Sequence, residues 1–167
     1  MSLTFLLGGA RSGKSSLAVR LALDWTGPVT VIATAEARDE EMAERIRLHR
    51  EERPAAWTTI EEPVALDAAL TRVATGEGVV LDCLSLWVAN LLERREDVQA
   101  HNERALALIR PRTAPTVVVS NEVGLGVVPT SELGRRYRDL LGRVNAQWAA
   151  AADEAAFVVA GRMLRLQ

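Results

Sequence analysis

Short, nearly continuous apolar runs alternate with amphipathic stretches along this chain. Leu3 to Leu7, Val29 to Ala33, Val79 to Asp82, Thr116 to Ser120 and Ala156 to Ala160 have strand length and little polar interruption, as strands buried on both faces should. Between them helical periodicity runs over 14–24, 39–52, 64–74, 84–94, 100–109 and 131–151. This layout predicts an α/β fold with a mostly parallel sheet flanked by helices. Trp57 to Ile60 is a candidate extra strand, and Met163 to Leu166 a candidate pairing at the sheet's end. Ligands of such sheets sit at the carboxyl ends of strands, which directs attention to the loops after Leu7, Ala33, Asp82 and Ser120. The last helix is expected to bury Leu133, Tyr137, Leu140, Leu141, Val144 and Trp148. Arg135, Arg136, Arg138 and Arg143 fall on its other faces, as solvated side chains or, alternatively, phosphate contacts.

The first of those loops carries a motif. Gly8-Gly9-Ala10-Arg11-Ser12-Gly13-Lys14-Ser15 matches G-x-x-x-x-G-K-[ST], between an apolar run and a helix with Leu17, Ala18 and Leu21 on one stripe. Backbone N–H groups of such a loop converge on an anion, the helix start adds its positive end, and the lysine reaches the outer phosphates. Lys14 is the only lysine in the chain, every other Lys/Arg position being arginine. That usage implies a need for a compact ammonium rather than a planar fork. Ser15 is then a candidate Mg²⁺ ligand, and the expected architecture becomes P-loop NTPase-like, of the RecA-like kind.

Composition narrows the partners. The 167 residues suit one domain spanning 1–167, with no Pro/Gly/Ser-rich linker. Net charge is −2 and the basic residues are interspersed with acidic ones, so no cationic face predicts nucleic-acid binding. Cys83 has no internal partner, the amino terminus lacks a signal-peptide layout, and no apolar run approaches membrane-spanning length. A cytoplasmic location is expected.

Several side chains could carry chemistry. Asp82 closes the run Val79-Val80-Leu81-Asp82, where a carboxylate serves either to organise Mg²⁺ or to cap the next helix. Cys83 reads as a small buried residue. On the helix over 39–52, Met42, Ile46 and His49 share one face, with Arg45, Arg47, Arg50 and Arg53 along it. Those cations are expected to keep the imidazole neutral, and a neutral imidazole can attack phosphorus; the alternative is a satisfied structural histidine. His101, in a polar stretch, reads as a surface residue. Glu122, in the glycine-containing loop 120–129, could support a metal, touch substrate or merely sit in a turn.

Taken together these segments resemble the bifunctional adenosylcobinamide kinase and adenosylcobinamide-phosphate guanylyltransferase family. The resemblance runs nearly end to end. It rests on the phosphate loop, Ile32-Ala33-Thr34-Ala35, Asp39-Glu40-Glu41-Met42, Arg45-Ile46-Arg47-Leu48-His49-Arg50, Arg53-Pro54-Ala55-Ala56-Trp57, Asn121-Glu122-Val123-Gly124-Leu125-Gly126-Val127-Val128-Pro129 and Gly142-Arg143-Val144-Asn145. The resemblance implies phosphoryl transfer from ATP or GTP to the aminopropanol hydroxyl of adenosylcobinamide. It also implies GMP transfer from GTP through a guanylylated histidine to adenosylcobinamide phosphate, with Mg²⁺ as cofactor. His49 stands where the carrier histidine stands. Gly8 to Ser15, Thr34, Glu61 and Asp82 stand at nucleotide-binding positions, and Ser15 and Asp82 at metal positions. Some members have a histidine pair on this helix, and here Leu48 occupies its first position. The resemblance further implies a trimer. Two rival readings are a P-loop kinase without nucleotidyl transfer and a non-catalytic NTP-binding module.

Overall fold

The computed structural model describes residues 3–166; positions 1, 2 and 167 of the predicted domain lie outside the described residues. Its strands are β1 (Leu3–Gly8), β2 (Val29–Ala33), β3 (Thr58–Glu61), β4 (Gly78–Asp82), β5 (Thr116–Asn121), β6 (Glu154–Val159) and β7 (Arg162–Leu166). They form one sheet in the order β3-β2-β4-β5-β1-β6-β7, parallel except for the antiparallel β6–β7 hairpin. The helices are α1 (Lys14–Leu23), α2 (Glu40–Glu51), α3 (Leu66–Thr71), α4 (Leu84–Glu93), α5 (Val98–Ile109) and α6 (Glu132–Ala151). The predicted strands, including the two short ones, are all present.

Alternation along the strands divides the core. Leu3 and Phe5 of β1, Val79 and Leu81 of β4 and Val118 of β5 pack with α3 to α6 on one face, around the fully buried Trp87 and Trp148. Leu6, Val31, Val80, Val117 and Val119 point to the other face, against Ala18 and Ala22 of α1. Both buried indoles keep their N–H satisfied: Trp87 Nε1 donates to the Val64 carbonyl at 2.7 Å, and Trp148 Nε1 donates to Asn102 Oδ1 at 2.7 Å.

Three expectations are corrected. The helix predicted over 64–74 shortens to Leu66–Thr71: Glu62 Oε1 accepts from the N–H groups of Val64 and Ala65, and Arg112 donates to the carbonyls of Ala74 and Glu77, drawing the later residues into a turn. Leu133, expected on the buried face of α6, is 58% exposed, because the first turn of that helix projects beyond the core that Leu141, Val144 and Trp148 enter. His101 is only partly at the surface. Its side chain is 14% exposed, with Nε2 3.4 Å from Glu96 Oε2, since α5 begins two residues earlier than predicted, behind an Asp97 cap.

The strand register brings the chemistry together. Gly8 lies opposite Asn121, and Asp82 opposite both Ala33 and Val119. The tips of β1, β2, β4 and β5 therefore form one continuous edge. Gly8 is pressed against its neighbour, for a Cβ there would stand 2.2 Å from the Val158 carbonyl oxygen. Gly8→Ala must push β6 off β1 and is expected to lose about 1–3 kcal/mol of stability, as an overpacked core does, measured by urea denaturation.

Candidate active site

The phosphate loop has the backbone that its glycines predict. Gly13 caps α1 at φ 92 and Arg11 sits at φ 55, both left-handed, turning the loop so that the start of α1 faces the cleft. A brace comes from the far hairpin: the Gly161 N–H donates to the Ser12 carbonyl at 2.9 Å. Lys14 is buried, its Nζ donating to the Gly9 carbonyl at 2.6 Å and to Ser12 Oγ at 3.3 Å. Burial pulls its pKa below the ordinary lysine value, against the opposing pull of Cys83 and Asp82.

Ser15 Oγ donates to Asp82 Oδ1 at 3.2 Å. Asp82 does not cap α4, whose N-cap is Cys83 without a side-chain bond, so the alternative role for this carboxylate falls away. Cys83 is buried, 2.9 Å from Ser85 Oγ, and burial pushes its thiol up to about 11. It is a packing residue, not a nucleophile.

Thr34 is corrected from a nucleotide contact to a strut. It is fully buried, its Oγ1 donates to the Cys83 carbonyl at 2.7 Å, and the same oxygen accepts from the Cys83 N–H at 2.9 Å. Its hydroxyl is committed behind the strand tip, while Ala33 and Ala35 face the cleft.

Helix α2 forms the opposite wall. Asp39 caps it, accepting from the Met42 N–H at 2.7 Å. Met42, Ile46 and His49 do share the inward face, yet no residue of α2 is buried, because that face lines a cleft of about 530 Å³ instead of entering the core. Lys14, Ser15, His49, Asp82 and Arg53 all border this cleft. His49 Nδ1 stands 3.5 Å from Asp82 Oδ2. The Asp82 carboxylate raises the imidazole pKa above its ordinary value and outweighs burial and the cation of Arg53. This overturns the expectation that arginines hold the ring neutral. Arg47 is engaged with Glu44 and Glu51 and Arg50 with Glu61, so their charges are met before they reach the histidine.

Glu61 ends β3 beside the cleft, paired to Arg50, and with Arg53 and Trp57 borders an adjoining hollow of about 480 Å³. Arg53 is half-buried; its Nη1 is shielded from solvent and has no hydrogen-bond partner among the described residues. Glu122 does not line the cleft: its carboxylate accepts from the Gly124 N–H within its own turn, and Asn121 takes the place in the wall. Arg135 bonds the Pro129 and Thr130 carbonyls, and Arg138 pairs with Asp139. Sequence reasoning missed Ser16 and Glu52, whose 3.1 Å hydrogen bond ties α1 to the end of α2. Two polar residues distant in sequence carry no periodic signal that announces such a bond.

A phosphate loop joining an interior strand of such a parallel sheet to the helix that follows it defines the P-loop NTPase fold. Solved structures of that kind align with it: an ATPase from the type III secretion system of pathogenic bacteria (TM-score 0.57, 10% identity, 93% of this chain and 51% of the other) and the RadB recombinase (TM-score 0.52, 17% identity, 93% and 73%). Those likenesses show the fold alone. The histidine helix is more particular, and the whole sequence agrees with it: the chain belongs to the cobinamide kinase/cobinamide phosphate guanyltransferase family, whose model matches residues 4–166. Bifunctional adenosylcobalamin biosynthesis proteins are similar over nearly their full length. CobP of Pseudomonas aeruginosa is 45% identical over 97% of this chain and 95% of its own, and CobU of Escherichia coli 40% identical over 92% and 93%.

Two substitutions test the assignments. Lys14→Arg keeps the charge but must fit a planar group among the Gly9 and Ser12 oxygens, and is expected to lower kinase kcat/KM by about a hundredfold or more, the scale of one lost transition-state contact. Thr34→Val removes the acceptor of the buried Cys83 N–H, while the Cys83 carbonyl keeps its bond from the Trp87 N–H, and is expected to lose about 1–3 kcal/mol in urea denaturation.

Proposed function

We propose that His49 is the covalent carrier of GMP in a two-reaction enzyme that phosphorylates adenosylcobinamide and then guanylylates the product. The observation that carries this reading is the shared cleft: the only histidine on α2 faces the same cavity as the phosphate loop, held at Nδ1 by a carboxylate that also bonds Ser15.

The kinase step needs positioning and charge neutralisation. Lys14 and the N–H groups at the start of α1 bind the outer phosphates of ATP or GTP. The aminopropanol hydroxyl attacks the γ-phosphorus, the bond to the nucleoside diphosphate breaks, and adenosylcobinamide phosphate results. The hydroxyl of Ser15 and the carboxylate of Asp82, 3.2 Å apart, are hard oxygen donors of the type Mg²⁺ takes alongside water and phosphate, so the residues present fit that ion. When bound there, Mg²⁺ neutralises charge on the phosphates.

The second reaction uses the imidazole as nucleophile. With Nδ1–H directed at Asp82, Nε2 carries the free lone pair, a tautomer assigned from the hydrogen-bond partner. Nε2 attacks the α-phosphorus of GTP, the bond to pyrophosphate breaks, and a guanylyl-histidine forms. A phosphate oxygen of adenosylcobinamide phosphate then attacks the same phosphorus, releasing the imidazole and giving adenosylcobinamide-GDP. Arg53, with Nη1 shielded beside the cleft, supplies positive charge for the phosphates, and Glu61 belongs to the nucleotide wall. A homo-oligomer, trimeric as the family resemblance implies, is part of the proposal. The exposed Val159, Leu164 and Leu166 along the β6–β7 edge support self-association. Among the described residues no helix is long and apolar enough to cross a membrane, and we assign the reactions to the cytoplasm.

Incubation with GTP labelled at the α-phosphate is expected to give protein-bound label, labile to acid and stable to base, that is lost in His49→Ala while the kinase reaction persists. Folded wild-type protein that binds GTP yet takes no label, while still phosphorylating adenosylcobinamide, would reduce the reading to a plain kinase.

A further inference from the structure

Exposed apolar side chains concentrate in the loop between β5 and α6, where Leu125, Val127 and Val128 are 82%, 95% and 58% exposed. From Val123 to Ser131 the loop has no charged residue. Its stem is nevertheless held. Asn145 Nδ2 donates to the Asn121 carbonyl at 3.0 Å, the Glu122 carboxylate accepts from the Gly124 N–H, and Arg135 Nη1 donates to the carbonyls of Pro129 at 3.1 Å and Thr130 at 2.7 Å. An apolar tip on a fixed stem marks a contact surface, and fixing the stem in advance lowers the entropy lost on contact.

Its place in the fold selects the partner. β5 lies between β4 and β1, so the loop leaves the sheet between Asp82 and the phosphate loop. Its first residue, Asn121, pairs with Gly8 and borders the cleft. On the other side of the cleft, α2, Arg50 and Glu61 close the wall. The wall that α2 does not supply includes Asn121, the residue from which the β5–α6 loop departs.

We infer that Leu125, Val127 and Val128 form the platform on which the corrin ring of the acceptor rests, with its hydroxyl or phosphate entering the cleft past Asn121. This inference rests on the function proposed above. Between its carboxamide arms a corrin carries ring methyl groups, and these suit an uncharged apolar ledge that follows directly on Asn121 in the cleft wall. A second copy of the chain is better matched by β7, which adds an unpaired backbone edge to its exposed side chains.

The test is the double substitution Val127→Ser/Val128→Ser, at positions too exposed to disturb folding. The KM for adenosylcobinamide is expected to rise about tenfold or more, the discrimination that small losses of apolar contact give, while the KM for nucleotide stays at the wild-type value. Self-guanylylation by GTP, a half-reaction without corrinoid, is expected to keep its rate, and the sedimentation coefficient its value. An unchanged KM for adenosylcobinamide overturns the inference. So does a rise accompanied by a lower sedimentation coefficient, which assigns the loop to contact between copies. If the wild-type protein takes no label from GTP, the covalent reading fails separately, and equilibrium dialysis with adenosylcobinamide decides: weaker binding by the variant supports the platform, and equal binding refutes it.

Discussion

The two halves of the cleft meet at one carboxylate. Asp82 Oδ1 accepts from Ser15, the residue after the phosphate-loop lysine, and Oδ2 stands 3.5 Å from His49 on α2. The side chain is 14% exposed, so its charge acts through a less screened path than a surface carboxylate's would. Its place is set from behind: β4 runs between β2 and β5, and the buried Thr34 hydroxyl bonds both the N–H and the carbonyl of the next residue, Cys83. Any shift of that strand tip therefore disturbs the phosphate loop and the histidine together. Thr34, a polar residue in an otherwise apolar neighbourhood, has its hydroxyl fully satisfied by these two bonds.

The two walls of the cleft, one carrying Lys14 and the other His49, rest on unequal supports. Lys14 opens a helix whose Ala18 and Ala22 are wedged into the core, and its loop is braced by the Gly161 N–H. His49 sits on α2, which buries no residue and is held by polar links: Ser16 to Glu52, Asp82 to His49, Arg50 to Glu61. Exposed ion pairs of this kind contribute about 0–1 kcal/mol each, far less than a buried apolar helix face. Helix α2 consequently belongs to the low-stability end of the molecule, where local opening is easiest. Binding a polyphosphate between the two walls would add attraction to Lys14 on one side and Arg53 on the other. The substrate thus completes a wall that the core leaves thin.

Much of this was legible in the sequence because it follows from period and local geometry. Strands buried on both faces announce themselves as continuous apolar runs, and the phosphate loop is a contiguous motif whose Gly13 turns out to need its left-handed φ. The inward face of α2 was readable from the spacing of Met42, Ile46 and His49. The charge environment of His49 was not. Sequence proximity put four arginines beside it, but space put a carboxylate there, from a strand more than thirty positions away. Thr34 failed for a related reason: position next to the active edge does not say whether a side chain faces the cleft or the core, and a fully satisfied buried hydroxyl looks, in sequence, like a binding one. Leu133 shows the converse limit. Helical periodicity assigns it to the apolar stripe, yet a twenty-residue helix is longer than the core beneath it, and its first turn overhangs.

A single triphosphate site can serve two reactions only if each nucleophile is confined to its own phosphorus. On the reading proposed above, the phosphate loop supplies that confinement by fixing the outer phosphates through Lys14, which leaves the γ-phosphorus to the acceptor. On the proposed route the histidine takes the α-phosphorus from the α2 side, next to Arg53 and Glu61. The reactions are then separated by direction of approach rather than by separate pockets, and Asp82 lies between the two directions. On that route its contact with Ser15 serves the phosphates, while its contact with His49 orients the ring. A carboxylate that also raises the imidazole pKa lowers the fraction of neutral ring available to attack, so the pairing trades some nucleophile population for orientation. That trade favours catalysis where the ring must discriminate between neighbouring phosphorus atoms, since a misdirected attack on the terminal phosphate would consume GTP without transferring GMP.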